Sequence, residues 1–398
     1  NNILLLICLI TMAWSVKFIL EKNKWSPIDE YAHMDYIDKI EHGTLPKLSD
    51  PISDELFLHI KNNPNKIVGD TIKTREQLGF GNNSYQAKHP PLYYSLLAVP
   101  DLILKKMGID IFQRLQSLRI LSYLMFVLGM FICIPINKAL QHLGYKTPMF
   151  LGTACTLFGL LICTHERYGL GNNLMSPLFI NSTLLLIIKY YHIPTDKLLY
   201  SIIGLACLSV FSALTNIFLM PILLVLVFSK FIRHVTIKNT VVSTFIVTFF
   251  IALFYTWKHF TIPNQAFEAY MHHILSIYIP AGAIGYQDFI QFLSNDAFQL
   301  SFINSTLDVS KAVFLLIATN FVASIFFLKS LVKNQIWLII TFLAFGYFLI
   351  LTFFLNKYIA TVTWVGFRHY LGFIPIIFLS CFGFTIPLYT KYFNKITE

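Results

Sequence analysis

Charged residues are what this sequence has least of. They make up 13% of 398 residues, against roughly 25% in a soluble domain. A soluble fold of this size needs a charged surface over its core, so composition sets that class aside. Cysteine is also sparse. All six lie in apolar runs with no CxxC spacing, which leaves no disulfide or zinc framework and makes them packing residues. No repeat or low-complexity segment is present. No inverted repeat of hydropathy stands out, and the apolar runs hold almost no acids or bases in their interiors. Both absences count against a transport pathway through the chain.

What is abundant is apolar sequence. Hydrophobic residues make up 56% of the chain, in runs near the length that crosses a bilayer. Ten such runs cover 3–20, 119–137, 148–164, 174–191, 198–214, 216–232, 239–257, 311–329, 335–355 and 369–389. The first is too long for a signal-peptide core and reads as a retained membrane helix. A further run, 91–104, is short and ends at Lys105-Lys106, as a re-entrant or interfacial helix would. If it does not cross, the loops on one side carry eleven basic residues against only Asp196 and Glu398. That asymmetry is the positive-inside pattern. It accounts for the net charge of +10 without nucleic acid as a partner. The expected fold is therefore an all-α polytopic membrane protein of about ten spans in the cell membrane, with both termini cytoplasmic. Two outer loops follow, 21–118 and 258–310, the first holding interfacial or re-entrant helices. Its stretches LPKLSDPISDE and NNPNKIVGD read as irregular and turn-rich.

The chain leaves its first apolar run as WSPIDEYAHMDYIDKIEHGTLP, residues 25–46. Ser26-Pro27-Ile28-Asp29 reads as a helix start, with Ser26 as N-cap, Pro27 in the first position and Asp29 at the capping-box position. On that helix Asp29, His33 and Tyr36 share a face, with Glu30 beside them. The bland alternative is that Asp29 only caps the helix and Glu30 complements its positive end. Three other segments carry comparable chemistry. AKHPPLYYSLLAVP places Lys88 and His89 before a rigid Pro-Pro pair and Tyr93-Tyr94; the tyrosines alone suit a membrane interface. THERYGLGNNLMSP crowds Glu166, Arg167, Asn172 and Asn173 into one short loop. WVGFRHYLGFIP sets Arg368, His369 and Tyr370 at the outer end of the last span. An arginine there can snorkel, and its fork also suits a phosphate.

This ordered set resembles the membrane-embedded GT-C glycosyltransferases that use polyprenyl-phosphate sugars, in particular the protein O-mannosyltransferase and lipid A aminoarabinose transferase families. Asp29-Glu30 is similar to the acidic pair of their first outer loop. Lys88-His89-Pro90-Pro91-Leu92-Tyr93-Tyr94 resembles their K/H-x-P-P-x-Y-Y stretch. Arg167 to Asn173 falls where they carry a second-loop motif, with Asn172-Asn173 standing where an Asp is common. Arg368-His369-Tyr370, completed by Pro375, resembles their late R-Y-x-x-x-x-P segment. The resemblance implies a GT-C-like core module over residues 1–257 and a variable C-terminal module over 258–398.

It also implies a reaction. A sugar would move from a polyprenyl-phosphate donor to a glycan, lipid or protein acceptor on the extracytoplasmic side, with inversion at the anomeric carbon. Asp29 would be the general base, with Glu30 orienting the acceptor or second in line. Arg368, Lys88 and Arg167 would neutralise the donor phosphate. His33, His89, Glu166, Asn172, His369 and Tyr370 would line the substrate, and the lipid tail would lie along Tyr93, Tyr94 and the last span. No cofactor is required by this reading. Asp29, Glu30, His33 and Glu166 are the residues able to hold a divalent cation, as some members need. The adjacent His272-His273 point apart on a helix and do not form a metal pair. Two other readings stay open: an oligosaccharide polymerase or ligase with a diphosphate-lipid donor, and a transporter or flippase for a lipid-linked sugar.

Overall fold

The computed structural model describes residues 2–25, 30–63, 84–145, 147–165, 169–213, 216, 236–261 and 379. Apart from single bridge residues at Trp25 and Pro51, the described residues hold no strand. Their helices are α1 (Asn2–Glu21), α2 (Glu30–Glu41), α3 (Asp54–Asn62), α4 (Leu92–Lys106), α5 (Ile111–Phe131), α6 (Cys133–His142), α7 (Leu151–His165), α8 (Ser176–His192), α9 (Asp196–Ser212) and α10 (Ile237–Thr261). Among the described residues, four helical stretches are long and apolar enough to cross a membrane: Asn2–Glu21, Ile111–His142, Asn172–His192 and Ile237–Thr261. They match the first, second, fourth and seventh expected runs. The third and fifth are shorter helices, α7 with 15 residues and α9 with 17. All but one residue of the sixth run, the eighth and ninth runs, all but one residue of the tenth and nearly all of 258–398 lie outside the described residues.

The long helices pack through small residues. The buried positions of α1 are Cys8, Thr11, Ser15 and Ile19, a narrow stripe with helical spacing. Thr11 and Ser15 return their hydroxyls to Ile7 O and Thr11 O, at 2.8 and 2.9 Å, so no polar atom is stranded on that stripe. Most of the remaining α1 side chains are apolar and exposed, including Ile10 and Trp14. A surface of this kind suits hydrocarbon better than water. Gly129 of α5 lies so close to α8 that an added Cβ would sit 2.4 Å from Leu178 N and 2.6 Å from the Pro177 carbonyl carbon. Backbones approach this closely where small residues line membrane-helix contacts. Asn181 then donates to Gly129 O at 2.8 Å. Between α5 and α6 the helix is interrupted at Ile132, because Pro135 has no N–H to offer the carbonyl one turn back.

The described residues form two cores. The bundle core joins α1, α5–α6, α7, α8 and α9 through residues such as Tyr123, Phe126, Met130, Cys155, Ile180 and Ile202. A second core lies under α2, α3, α4 and the first two turns of α5, and includes Trp25, Met34, Tyr36, Leu56, Leu97 and Leu115. These elements form a cap on the end of the bundle where α1 finishes. Here the structure departs from two expectations. DELFLHIKN, which runs from the end of the first stretch read as irregular to the start of the second, is helix α3, and it buries Leu56 and Ile60. The second long helix starts at Ile111 rather than at 119, with the Asp110 carboxylate accepting from Phe112 N at 2.9 Å. The α4–α5 connection turns at Gly108, whose φ of +74° favours glycine. The 15-residue α4 is about 22 Å long at about 1.5 Å per residue, short of the roughly 30 Å of a hydrocarbon core.

Gly129→Ala is expected to cost about 1–3 kcal/mol, the range for overpacking against rigid neighbours. Gly204 on α9, where an added Cβ meets nothing within 4 Å, should accept alanine with a gain of about 0.5–1 kcal/mol. Thermal unfolding of both variants in detergent checks the pair. Equal midpoints would mean that the α5–α8 contact is looser than described.

Candidate functional site

The first residue of α2 sits at the junction of cap and bundle. Glu30 is fully buried, and so is its partner Arg119 of α5. Arg119 donates from Nε to Oε1 at 2.6 Å and from Nη2 to Oε2 at 2.5 Å. Its other donors reach Lys22 O at 3.0 Å and Lys24 O at 2.8 Å, where the chain leaves α1. Leu170 N, in the α7–α8 loop, donates to Glu30 Oε1 at 2.9 Å. A buried ion pair holds its charges only when the remaining donors and acceptors are satisfied, and here two further chain segments supply those partners. Nothing in the sequence reading singled out Arg119. The signal was a lone arginine beside an apolar run, which needs a counter-charge once buried.

One turn further along α2, His33 Nδ1 is 2.9 Å from the Tyr94 hydroxyl. Tyr36 stacks on the Tyr94 ring, with centroids 3.9 Å apart and planes 18° apart. His33 and Tyr36 therefore do share a face, and that face packs on α4. Tyr93 Oη is 2.7 Å from Ser122 Oγ, and Gly171 N donates to it at 3.0 Å. Both tyrosines are fully buried. α2, α5 and the 169–171 loop enclose them. Lys88 ends a 3₁₀ turn, Tyr85–Lys88. It is followed by His89, whose carbonyl accepts from Tyr36 Oη at 3.1 Å. Asn172 opens the 3₁₀ turn before α8, with Nδ2 3.4 Å from Ser212 O.

The structure thus brings together Glu30, the 88–94 stretch and the 169–172 loop. Asp29, Glu166, Arg167, Arg368, His369 and Tyr370 lie outside the described residues. Of the four residues considered for a divalent cation, Glu30 and His33 are described. Both carboxylate oxygens of Glu30 are held by Arg119, and His33 Nδ1 meets Tyr94. Among the described residues no group of three His, Cys, Asp or Glu is arranged to hold a metal ion. Cys133 and Cys155 are neighbouring thiols with Sγ atoms 3.6 Å apart, and Cys8, Cys133, Cys155 and Cys207 are buried thiols, in keeping with packing roles.

A second charged cluster joins the far end of α2 to α4 and α5. Arg114 Nη1 donates to Asp101 Oδ2 at 3.0 Å, and Lys105 Nζ to Asp38 Oδ1 at 2.8 Å. Lys105 also lies 3.9 Å from Glu41 Oε2. Glu41 and Asp101 bury their carboxyl groups against each other, and other hydrogen-bond donors reach neither Glu41 oxygen nor Asp101 Oδ1. Two buried carboxyls in contact cannot both ionise cheaply. Arg114 favours charge on Asp101, so the shared proton rests on Glu41. Burial, the adjoining Asp101 and Asp38 push Glu41 up to about 9, against the pull of Lys105. Asp101 is also raised, chiefly by burial.

No protein-family model matches the chain, and no curated protein and no solved structure matches it.

Two predictions follow from these charges. Arg119→Met and Glu30→Gln should each cost about 3–5 kcal/mol, because each leaves a buried charge alone. The double variant should cost clearly less than their sum, as read by a double-mutant cycle on detergent unfolding. The Glu41 proton gives a pH dependence. The folded chain keeps this proton above the pH at which the unfolded chain releases it, near the usual glutamate value of about 4.3. Its contribution to stability is therefore complete below that value. It declines as pH rises and is gone above about 9. Glu41→Gln carries a permanent donor toward Asp101, so its unfolding midpoint should fall less than that of wild type between pH 5 and pH 9, a window set by these two values. Parallel profiles would exclude the shared proton.

Proposed function

We propose that this chain is an integral membrane glycosyltransferase that moves a sugar from a polyprenyl-phosphate donor to an acceptor hydroxyl at the capped end of the bundle, with inversion. The observation that carries the reading is the convergence of three separate segments on one place. The residue after Asp29 is locked to Arg119 and Leu170 N, and Gly171 N reaches Tyr93. The chain immediately before Tyr93 holds Lys88 and His89, and His89 is tied back to α2. Four helices able to cross a membrane supply the setting that a lipid-linked donor needs. The capped end would face the extracytoplasmic side, where the acidic loop falls in the charge asymmetry.

In this reading Asp29 is the base. It accepts the proton of the acceptor hydroxyl as that oxygen bonds the anomeric carbon. The bond from the anomeric carbon to the phosphate oxygen breaks, and its electron pair leaves with polyprenyl phosphate. Lys88, Arg167 and Arg368 neutralise the charge growing on that phosphate. Glu30 takes no proton. With both oxygens engaged by Arg119, its role is to fix the start of α2. His33 and Tyr94 support α2 from behind.

The test is turnover of radiolabelled polyprenyl-phosphate sugars by the purified protein, read as release of free polyprenyl phosphate. Wild type should release it, and Asp29→Asn should be slower by about a hundredfold or more. Full activity of that variant would remove Asp29 from the mechanism. No release and no donor binding by wild type would overturn the donor class.

A further inference from the structure

Two consecutive residues of α2 hold opposite ends of one short turn. Asp35 is fully buried. It accepts from Ser84 Oγ at 2.5 Å, from Ser53 N at 2.8 Å and from Lys39 Nζ at 3.0 Å. Lys39 also donates to Pro51 O at 2.7 Å and to Ser84 Oγ. Ser84 N in turn donates to Asp50 O at 2.7 Å. The next residue, Tyr36, donates to His89 O at 3.1 Å. Its own place is set by the Tyr94 stack and by Trp257 Nε1, 3.4 Å from its hydroxyl. Between Ser84 and His89 the backbone closes on itself, Ala87 N to Ser84 O at 2.8 Å and His89 N to Gln86 O at 2.9 Å. Pro90 and Pro91 then lead stiffly into α4. The turn is therefore pinned at its first residue by Asp35 and at its last by Tyr36. Lys88 stands one residue from the second pin.

An apolar residue at position 35 would fill the same volume without the cost of burying charge. What the carboxylate adds is direction: donors from two other segments, at Ser53 and Ser84, and Lys39 from the next turn are drawn to one point on α2. We infer that Asp35 and Tyr36 are positioning residues which, through Ser84 and His89, set where Lys88 stands against α2. The inference rests on the reading above, in which Lys88 meets the phosphate of the donor. Neither residue touches the donor.

The test separates the grip from the chemistry. In one series, Lys88→Cys and the exposed Val99→Cys of α4 carry nitroxide labels in the full chain in detergent, and the distance distribution between them is recorded. Tyr36→Phe keeps the ring and removes the hydroxyl; Asp35→Asn removes the charge. Either change should broaden the distribution while the unfolding midpoint stays close to that of the labelled parent. In a second series with Lys88 intact, Tyr36→Phe and Asp35→Asn should weaken binding of a fluorescent polyprenyl phosphate roughly tenfold, the worth of one well-placed charge-assisted contact. If Asp35→Asn does not fold, Tyr36→Phe alone decides. An unchanged distribution, or one that broadens only together with a collapsed midpoint, overturns the inference. Absence of polyprenyl-phosphate binding by the wild type overturns the glycosyltransferase reading instead, and the label distances still decide whether the two residues hold the turn.

Discussion

The ion pair between Glu30 and Arg119 is the constraint on which the capped end depends. It is the point where the exit of α1, the start of α2, the upper part of α5 and the α7–α8 loop meet, and each contributes at least one hydrogen-bonding group. A pair of this kind adds little net stability over a well-packed apolar contact. Its value is geometric. A guanidinium fork accepts a carboxylate in very few orientations, so α2 cannot rotate or slide along α5 without leaving two charges unpartnered. Every feature further along α2 inherits that setting, from the His33–Tyr94 contact through the Asp35 cluster to the carboxyl pair at Glu41.

The fold was readable where one physical rule dominated. Apolar length alone located α1, α8 and α10, because a bilayer-crossing helix needs a long run and little else. The same rule misplaced the start of α5. Residues 111–118 are packed in the cap, and their mixed composition broke the apolar run although the helix continues through them. Helix α3 was missed for a different reason. Its signal, Ser53-Asp54-Glu55 followed by Leu56 and Ile60 four apart, is real but short. Turn-forming neighbours outweighed it.

At the site, the segments were legible and their internal logic was not. Asp29-Glu30, Lys88-His89 and the 169–172 loop stood out because polar residues bordering apolar runs are uncommon. Which of them face a ligand and which hold the scaffold is a matter of pairing across long sequence separations. Glu30 and Arg119 are 89 residues apart, and Asp35 and Ser84 are 49 apart. No local pattern encodes such distances. The tyrosines show the same limit. Tyr93 and Tyr94 resemble a membrane belt in sequence, yet each hydroxyl has a protein partner in the cap, and that satisfies a buried phenol as well as interfacial water does.

One helix belongs to both cores. Ile111, Phe112, Leu115 and Leu118 lie in the cap core, and Tyr123, Phe126, Val127 and Met130 in the bundle core. With no break before Ile132, α5 acts as a rigid post set in the bundle and standing into the cap. A tilt of this post at one end must appear at the other, so the cap cannot hinge on it independently. Freedom of movement at this end is left to elements anchored in the cap alone. Of these, α3 is the shortest, and it shows the cap core only two buried side chains, Leu56 and Ile60.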